Sequence, residues 1–248
     1  MLTLCIVSKD QPEALRLCLE SAIENSEQPS KVLEAAVWVN SADPEERRAT
    51  VEATEGIKGL RVRAFGEKAD VYAAYNALAR VSTTRLLCFA NDDMVFGPGW
   101  LMPLLANASR DLWVSPILVE PGVVGVASLN VLGDFGRTPA EFRRADFEQF
   151  VVANRRQDMV PLGWFQPVCV DRWRFLELCG YPTDRPFPAP NDLRFFQSLQ
   201  SAGVQHFRHY GAWAYHFQRL GQREAVENGD RAACDPAPEH AGAVAAVP

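Results

Sequence analysis

Apolar runs at residues 2–7, 35–39, 60–65 and 85–90 are separated by segments of helical pattern, and this alternation restricts the fold more than any other feature of the chain. Asp10 with Glu13 forms a capping-box pattern predicting a helix to about Asn25. Asp43-Pro44-Glu45-Glu46 supplies an N-cap, an N1 proline and early acids for a second helix, and residues 71–81 carry a third. Strands that alternate with helices in this way build a mostly parallel α/β sheet with helices on both faces. Ligands of such sheets gather at the carboxyl ends of the strands. Ser8, Asn40, Asn91, Asp92 and Asp93 all fall at those predicted ends.

The second half is less regular. A strand is expected over 114–118 and an Arg- and Glu-rich helix over 139–154. Residues 168–170 lead into Asp171, which can cap a helix over 172–179 stopped by Gly180. A proline-laden loop, 181–190, precedes Asn191-Asp192 and a helix to about Ala202, ended by Gly203. Two short strands, 205–209 and 212–216, complete the core, and residues 219–248 read as a poorly ordered tail without apolar period.

At 248 residues with 48% hydrophobic content the chain can bury a sizeable core. A net charge of -6 without a basic stripe argues against nucleic acid as a partner. The first residues read as a strand rather than a signal peptide, and no run approaches the ~18 apolar residues of a membrane span, which leaves only peripheral membrane association. Six cysteines are scattered without a CxxC pair, mostly in apolar runs, which predicts reduced buried thiols and a cytoplasmic location.

Three constellations can carry chemistry. Asn91-Asp92-Asp93 places two adjacent carboxylates after a buried strand, a natural seat for a hard cation or else a solvated, capping turn. His216 ends a predicted apolar strand, where an imidazole is a metal ligand or a satisfied core residue. Asp192 opens a helix, either as part of an N-terminal cap or as a general base facing a cleft. Trp164, Phe165 and Trp173 are candidate platforms for a sugar face, or core.

Taken in order, these pieces resemble the inverting family 2 glycosyltransferases. LTLCIVSKDQPEALRLCLESA is similar to that family's first strand and helix, and VYAAYNALARVSTTRLLCFANDDM to the stretch that leads into its DxD motif. CVDRWRFLELCGYPTD and NDLRFFQSLQSAGVQHFRHYGAWAYHF resemble the later motifs that carry the general base and a C-terminal histidine. The resemblance implies the GT-A fold, a Rossmann-like, mostly parallel sheet, with a nucleotide-sugar-binding half (1–95) and a smaller acceptor-side half (96–218). It implies a nucleotide-sugar donor, a glycan, lipid-linked or other hydroxyl acceptor, and Mn2+ or Mg2+. By the same likeness Asp93 and His216 hold the metal and Asp192 is the catalytic base. Ser8, Asn40, Asn91 and Asp92 lie toward the donor. Asn91 and Asn191 stand where the family usually carries acids, so a degenerate binder without turnover is the alternative, and a nucleotidyltransferase is disfavoured because residues 8–11 offer no Gly-rich basic phosphate loop.

Overall fold

A computed structural model describes residues 1–27, 33–122, 130–161, 166–185 and 191–218. Met1–Gln218 form one compact unit. Trp164, Phe165, the last five residues of the proline-laden loop and the expected tail lie outside the described residues.

The first half is a parallel sheet. β1 (Leu2–Ser8) pairs in parallel with β2 (Leu33–Val39) on one side and β4 (Leu86–Asn91) on the other, and β3 (Arg61–Phe65) extends β2. Every residue of β1 is buried because both of its faces are covered. Leu2, Leu4 and Ile6 pack with Leu15, Cys18 and Leu19 of α1 (Pro12–Glu24). Cys5 and Val7 point into the opposite layer with Tyr75 and Leu78 of α3 (Val71–Val81). The remaining helix of this half, α2 (Pro44–Glu52), begins as its sequence requires: the Asp43 carboxylate accepts from the N–H groups of Glu45 and Glu46 at 2.7 and 3.2 Å.

The sheet continues through β5 (Met94–Phe96), β6 (Leu112–Glu120), β7 (Val131–Leu132), β8 (Met159–Pro161), β9 (Val168–Asp171) and β10 (Gln205–His216). Its order is β3-β2-β1-β4-β9-β6-β10-β5, with β7 on β6 and β8 on β10. β10 runs parallel to β6 and antiparallel to β5, while β9 is antiparallel to β4 and β6. The helices of this half are α4 (Leu101–Asn107), α5 (Arg144–Asn154), α6 (Arg172–Glu177) and α7 (Asn191–Ser201).

Four local expectations change. α1 starts at Pro12 with Gln11 at the cap and no side-chain capping bond, because the proline sets the first helical residue and Asp10 sits in a left-handed turn at φ 55°. The expected helix 139–154 is a single 3₁₀ turn, Pro139–Glu141, followed by α5, with Phe142 extended between them. The two terminal strands are one twelve-residue strand whose register against β6 shifts between His209 and Trp213. α6 ends at Glu177 in a Schellman turn: Cys179 occupies the left-handed position at φ 65°, and Gly180 N–H donates to Phe175 O at 2.9 Å.

Candidate functional site

The carboxyl edge of the parallel strands concentrates the polar groups. β4 ends at Asn91, and a tight turn through Asp92 and Asp93 feeds β5. β5 then pairs antiparallel with β10, setting His216 opposite Met94, and Phe217 N–H donates to Asp93 O at 3.1 Å. That pairing brings together two residues more than a hundred positions apart in sequence. His216 Nε2 stands 3.4 Å from Asp93 Oδ1. β6 runs parallel beside β10 with Val119 opposite Tyr215, so Glu120 arrives on the other side of the imidazole, 3.0 Å from Nδ1.

His216 is thus held between two carboxylates. Burial alone would depress its pKa, but Asp93 and Glu120 overcome that cost and raise it to about 10. Burial of Glu120 works against its ionised form, yet His216 and Asn130 outweigh it and keep the carboxyl below its usual range. Asp92 moves the other way. Burial and then repulsion from Asp93 raise it, against the Ser8 hydroxyl and the Lys9 N–H, which donates to Asp92 Oδ2 at 3.2 Å.

The donor set fits a divalent cation. Asp93 is buried and its Oδ1 makes no hydrogen bond, although it faces an imidazole nitrogen. Ser8, at the end of β1, is fully buried with its hydroxyl toward Asp92. Among the described residues no group of three His, Cys, Asp or Glu side chains is arranged to enclose a metal. One carboxylate and one imidazole leave most coordination positions to water or phosphate oxygens, the usual way Mg2+ and its relatives are held beside a nucleotide.

Asp192 lies in the first turn of α7, beyond a layer of tyrosines. The Tyr75 hydroxyl donates to Ala90 O at 2.8 Å and lies 3.3 Å from Asn91 Oδ1. Tyr75 and Tyr72 both pack against Tyr181, with ring centroids 6.0 and 5.4 Å apart. Tyr72, in the first turn of α3, reaches the Asp192 carboxylate with its hydroxyl. Burial raises the Asp192 pKa despite the Leu193 N–H, which donates to Oδ1 at 2.8 Å. Asn191 beside it is fully buried and structural, donating to Arg185 O at 2.7 Å and accepting from Arg194, which also clamps Asp184.

Asn40 follows β2, and its N–H donates to Ser8 O at 2.8 Å. Its Oδ1 accepts from Ala69 N–H at 2.7 Å, closing the loop after β3 onto the end of β2. Trp173 is 61% exposed with Arg172 over its ring, on the first turn of α6. Glu120, Asn130, Tyr72 and Tyr75 were not anticipated. The signal for Glu120 was present: it is the acid that ends the apolar run LWVSPILVE, at the carboxyl end of a strand.

This architecture, a mostly parallel sheet with acids and an imidazole at its carboxyl edge, is the GT-A fold. The structure of GalNAc-T7 with UDP, GalNAc and Mn2+ superposes with a TM-score of 0.65 at 13% identity, covering 87% of this chain and 43% of that one. The S. aureus TarS 1-349 structure gives 0.58 at 9% identity, covering 87% and 60%. The chain therefore spans less than two thirds of either solved structure. Residues 3–124 match the profile of Glycosyl transferase family 2. No curated protein sequence matches it.

Proposed function

We propose that the chain transfers a sugar from a nucleotide-sugar donor, UDP-linked by default, to a hydroxyl of a glycan, lipid-linked or other acceptor, with inversion. The observation that carries this reading is the buried Asp93 Oδ1, without a hydrogen bond and 3.4 Å from His216 Nε2, in a chain whose residues 3–124 match the family 2 glycosyltransferase profile. Asp93 and His216 would hold Mn2+ or Mg2+, which supplies positive charge against the departing nucleoside diphosphate. Ser8, Asn91 and Asp92 line the donor side, and Asn40 fixes the loop beside it. Asp192 accepts the proton of the acceptor hydroxyl as that oxygen attacks the anomeric carbon, and its raised pKa strengthens it as a base. Tyr72 orients that carboxylate.

Residues 1–95 serve the donor and residues 96–218 the acceptor in this reading. The described cysteines are free thiols, four of the five buried, which supports a reducing, cytoplasmic setting. No helix among the described residues is long and apolar enough to cross a membrane.

The test is thermal unfolding against a panel of nucleoside diphosphates with and without Mn2+, followed by a transfer assay with the sugar of the responding nucleotide. A ligand that binds only the folded chain raises the midpoint by mass action. The expected result is a Mn2+-dependent rise with one nucleotide, lost in Asp93→Ala. No response to any nucleotide with metal present would refute the donor site. A response without transfer or donor hydrolysis would leave a binding module.

A further inference from the structure

Behind His216 a chain of polar side chains runs inward from the cation-facing edge to a buried arginine. Glu120 Oε1 lies 3.0 Å from His216 Nδ1. Glu120 Oε2 accepts from Asn130 Nδ2 at 2.7 Å, and Asn130 Oδ1 accepts from Arg208 Nη1 at 2.7 Å. Glu120 and Arg208 are 6% and 3% exposed, so neither charge is there for solubility. Burying two charges and an amide is costly unless each is bonded. This row satisfies them in sequence and leaves one atom outstanding at its outer end, Asp93 Oδ1.

The order of the bonds has a chemical consequence. A neutral imidazole carries its proton on one nitrogen and its lone pair on the other, and the hydrogen bond at one nitrogen selects which. Glu120, ionised, can only accept. The Nδ1 proton of His216 is therefore fixed toward Glu120, and Nε2 is the nitrogen left to face Asp93. An amide at 130 adds direction: it gives Glu120 a donor on its second oxygen and is itself held by Arg208, so the carboxylate cannot rotate away from the ring without breaking its bond to Asn130.

We propose that Glu120 is a positioning residue for cation binding: it fixes the Nδ1–H and the ring orientation of His216, so that when a cation displaces the Nε2 proton to solvent the lone pair left there lies beside Asp93, and Asn130 and Arg208 hold Glu120. The inference rests on the donor-site reading above. In metal sites of this kind, loss of such an outer partner weakens affinity by roughly 10–100-fold.

The experiment measures Mn2+ binding to the full chain by calorimetry, alone and with UDP, in wild type, Glu120→Gln, Asn130→Ala and His216→Ala. It is paired with 15N spectra of the histidine side chains recorded with Mg2+. Glu120→Gln is expected to weaken Mn2+ about 10-fold or more and to alter the Nδ1–H signal of His216. Asn130→Ala, which keeps the carboxylate, is expected to fall between wild type and Glu120→Gln. Wild-type Mn2+ affinity together with an unchanged His216 spectrum in a folded Glu120→Gln would overturn the proposal while leaving the donor site intact. If wild type itself binds no Mn2+, with or without UDP, both readings fail together. Should Glu120→Gln not fold, an Asn130→Ala variant with unchanged Mn2+ affinity and spectrum overturns the proposal on its own.

Discussion

Asp192 and Gly180 flank the proline-laden loop in sequence, and the two positions meet different demands. Asp192 is asked for a proton-accepting oxygen, and its partners, the Leu193 N–H and the Tyr72 hydroxyl, remain for an amide to accept from. Asp192→Asn is therefore expected to reduce transfer by at least 100-fold, the usual scale of a lost general base, with nucleotide binding by thermal shift unchanged. Transfer at the wild-type rate would remove Asp192 from the mechanism. Gly180 is asked for nothing but absence. Its φ is 67°, and a Cβ there would lie 2.3 Å from Asn76 Oδ1. Asn76 is buried in α3 and pairs with the Tyr181 backbone in both directions, donating at 2.8 Å and accepting at 2.9 Å. Gly180→Ala must strain the backbone or break that pairing, at about 2 kcal/mol or more. That is a fall of about 4–8 °C in the unfolding midpoint for a unit of this size, which a thermal melt reads directly.

Elements whose cause is local were legible before any coordinates. α2 follows from Asp43 and Pro44, and β1 from a run that is buried on both faces. What escaped was set at a distance. β5 is three residues long and exists because β10 pairs with it, and β7 and β8 are likewise held by their neighbours β6 and β10. Of the site, the acids at strand ends were visible because topology puts strand ends together. The role of Glu120 was not, because it depends on which strand lies beside β10. Arg47 shows the same limit from within a helix whose boundaries were easy to read. Its guanidinium, on α2, donates to Val39 O and Ser41 O at 3.3 Å and to Gly66 O at 2.6 Å, tying the ends of β2 and β3. Charged donors to carbonyls contribute about 1.5–3 kcal/mol in favourable settings. Arg47→Met should loosen this edge selectively. Amide exchange at Ala69, whose N–H is held by Asn40, is expected to accelerate at least 10-fold, while the amides of β1 keep their protection. Equal acceleration in both places would mean that Arg47 supports the whole sheet instead.

Across the whole molecule, acid sensitivity should reveal a histidine unrelated to the proposed chemistry. His206, on β10, lies between β6 and α7: its Nε2 is 2.8 Å from Ser115 Oγ, its ring stacks on Phe196 at 5.2 Å, and its Nδ1 is buried without a hydrogen bond. Burial, with Arg208 nearby, depresses its pKa from 6.5 to about 3. The unfolded chain therefore takes up a proton at His206 that the folded chain refuses. Stability from this group is complete above pH 6.5 and is lost as pH falls through 6.5 toward 3, at up to about 1.4 kcal/mol per pH unit. His209, also depressed by burial, acts in the same direction. His216 acts the other way between pH 7.5 and 6.5, since its raised pKa gives stability that is full below 6.5 and falls as pH climbs toward 10. Asp92 also opposes it: its raised pKa makes the folded chain bind the extra proton below neutrality, so its contribution grows as that of His206 shrinks. The total profile can then look flat, and the informative quantity is the difference between two proteins. His206→Gln keeps a partner for Ser115 and removes the titration. In urea unfolding at pH 7.5, 6.0 and 5.0, the stability of wild type relative to His206→Gln is expected to fall by about 1 kcal/mol or more across the series. A constant difference would mean that the folded chain accepts the proton, and that the space around His206 opens to water before the chain unfolds.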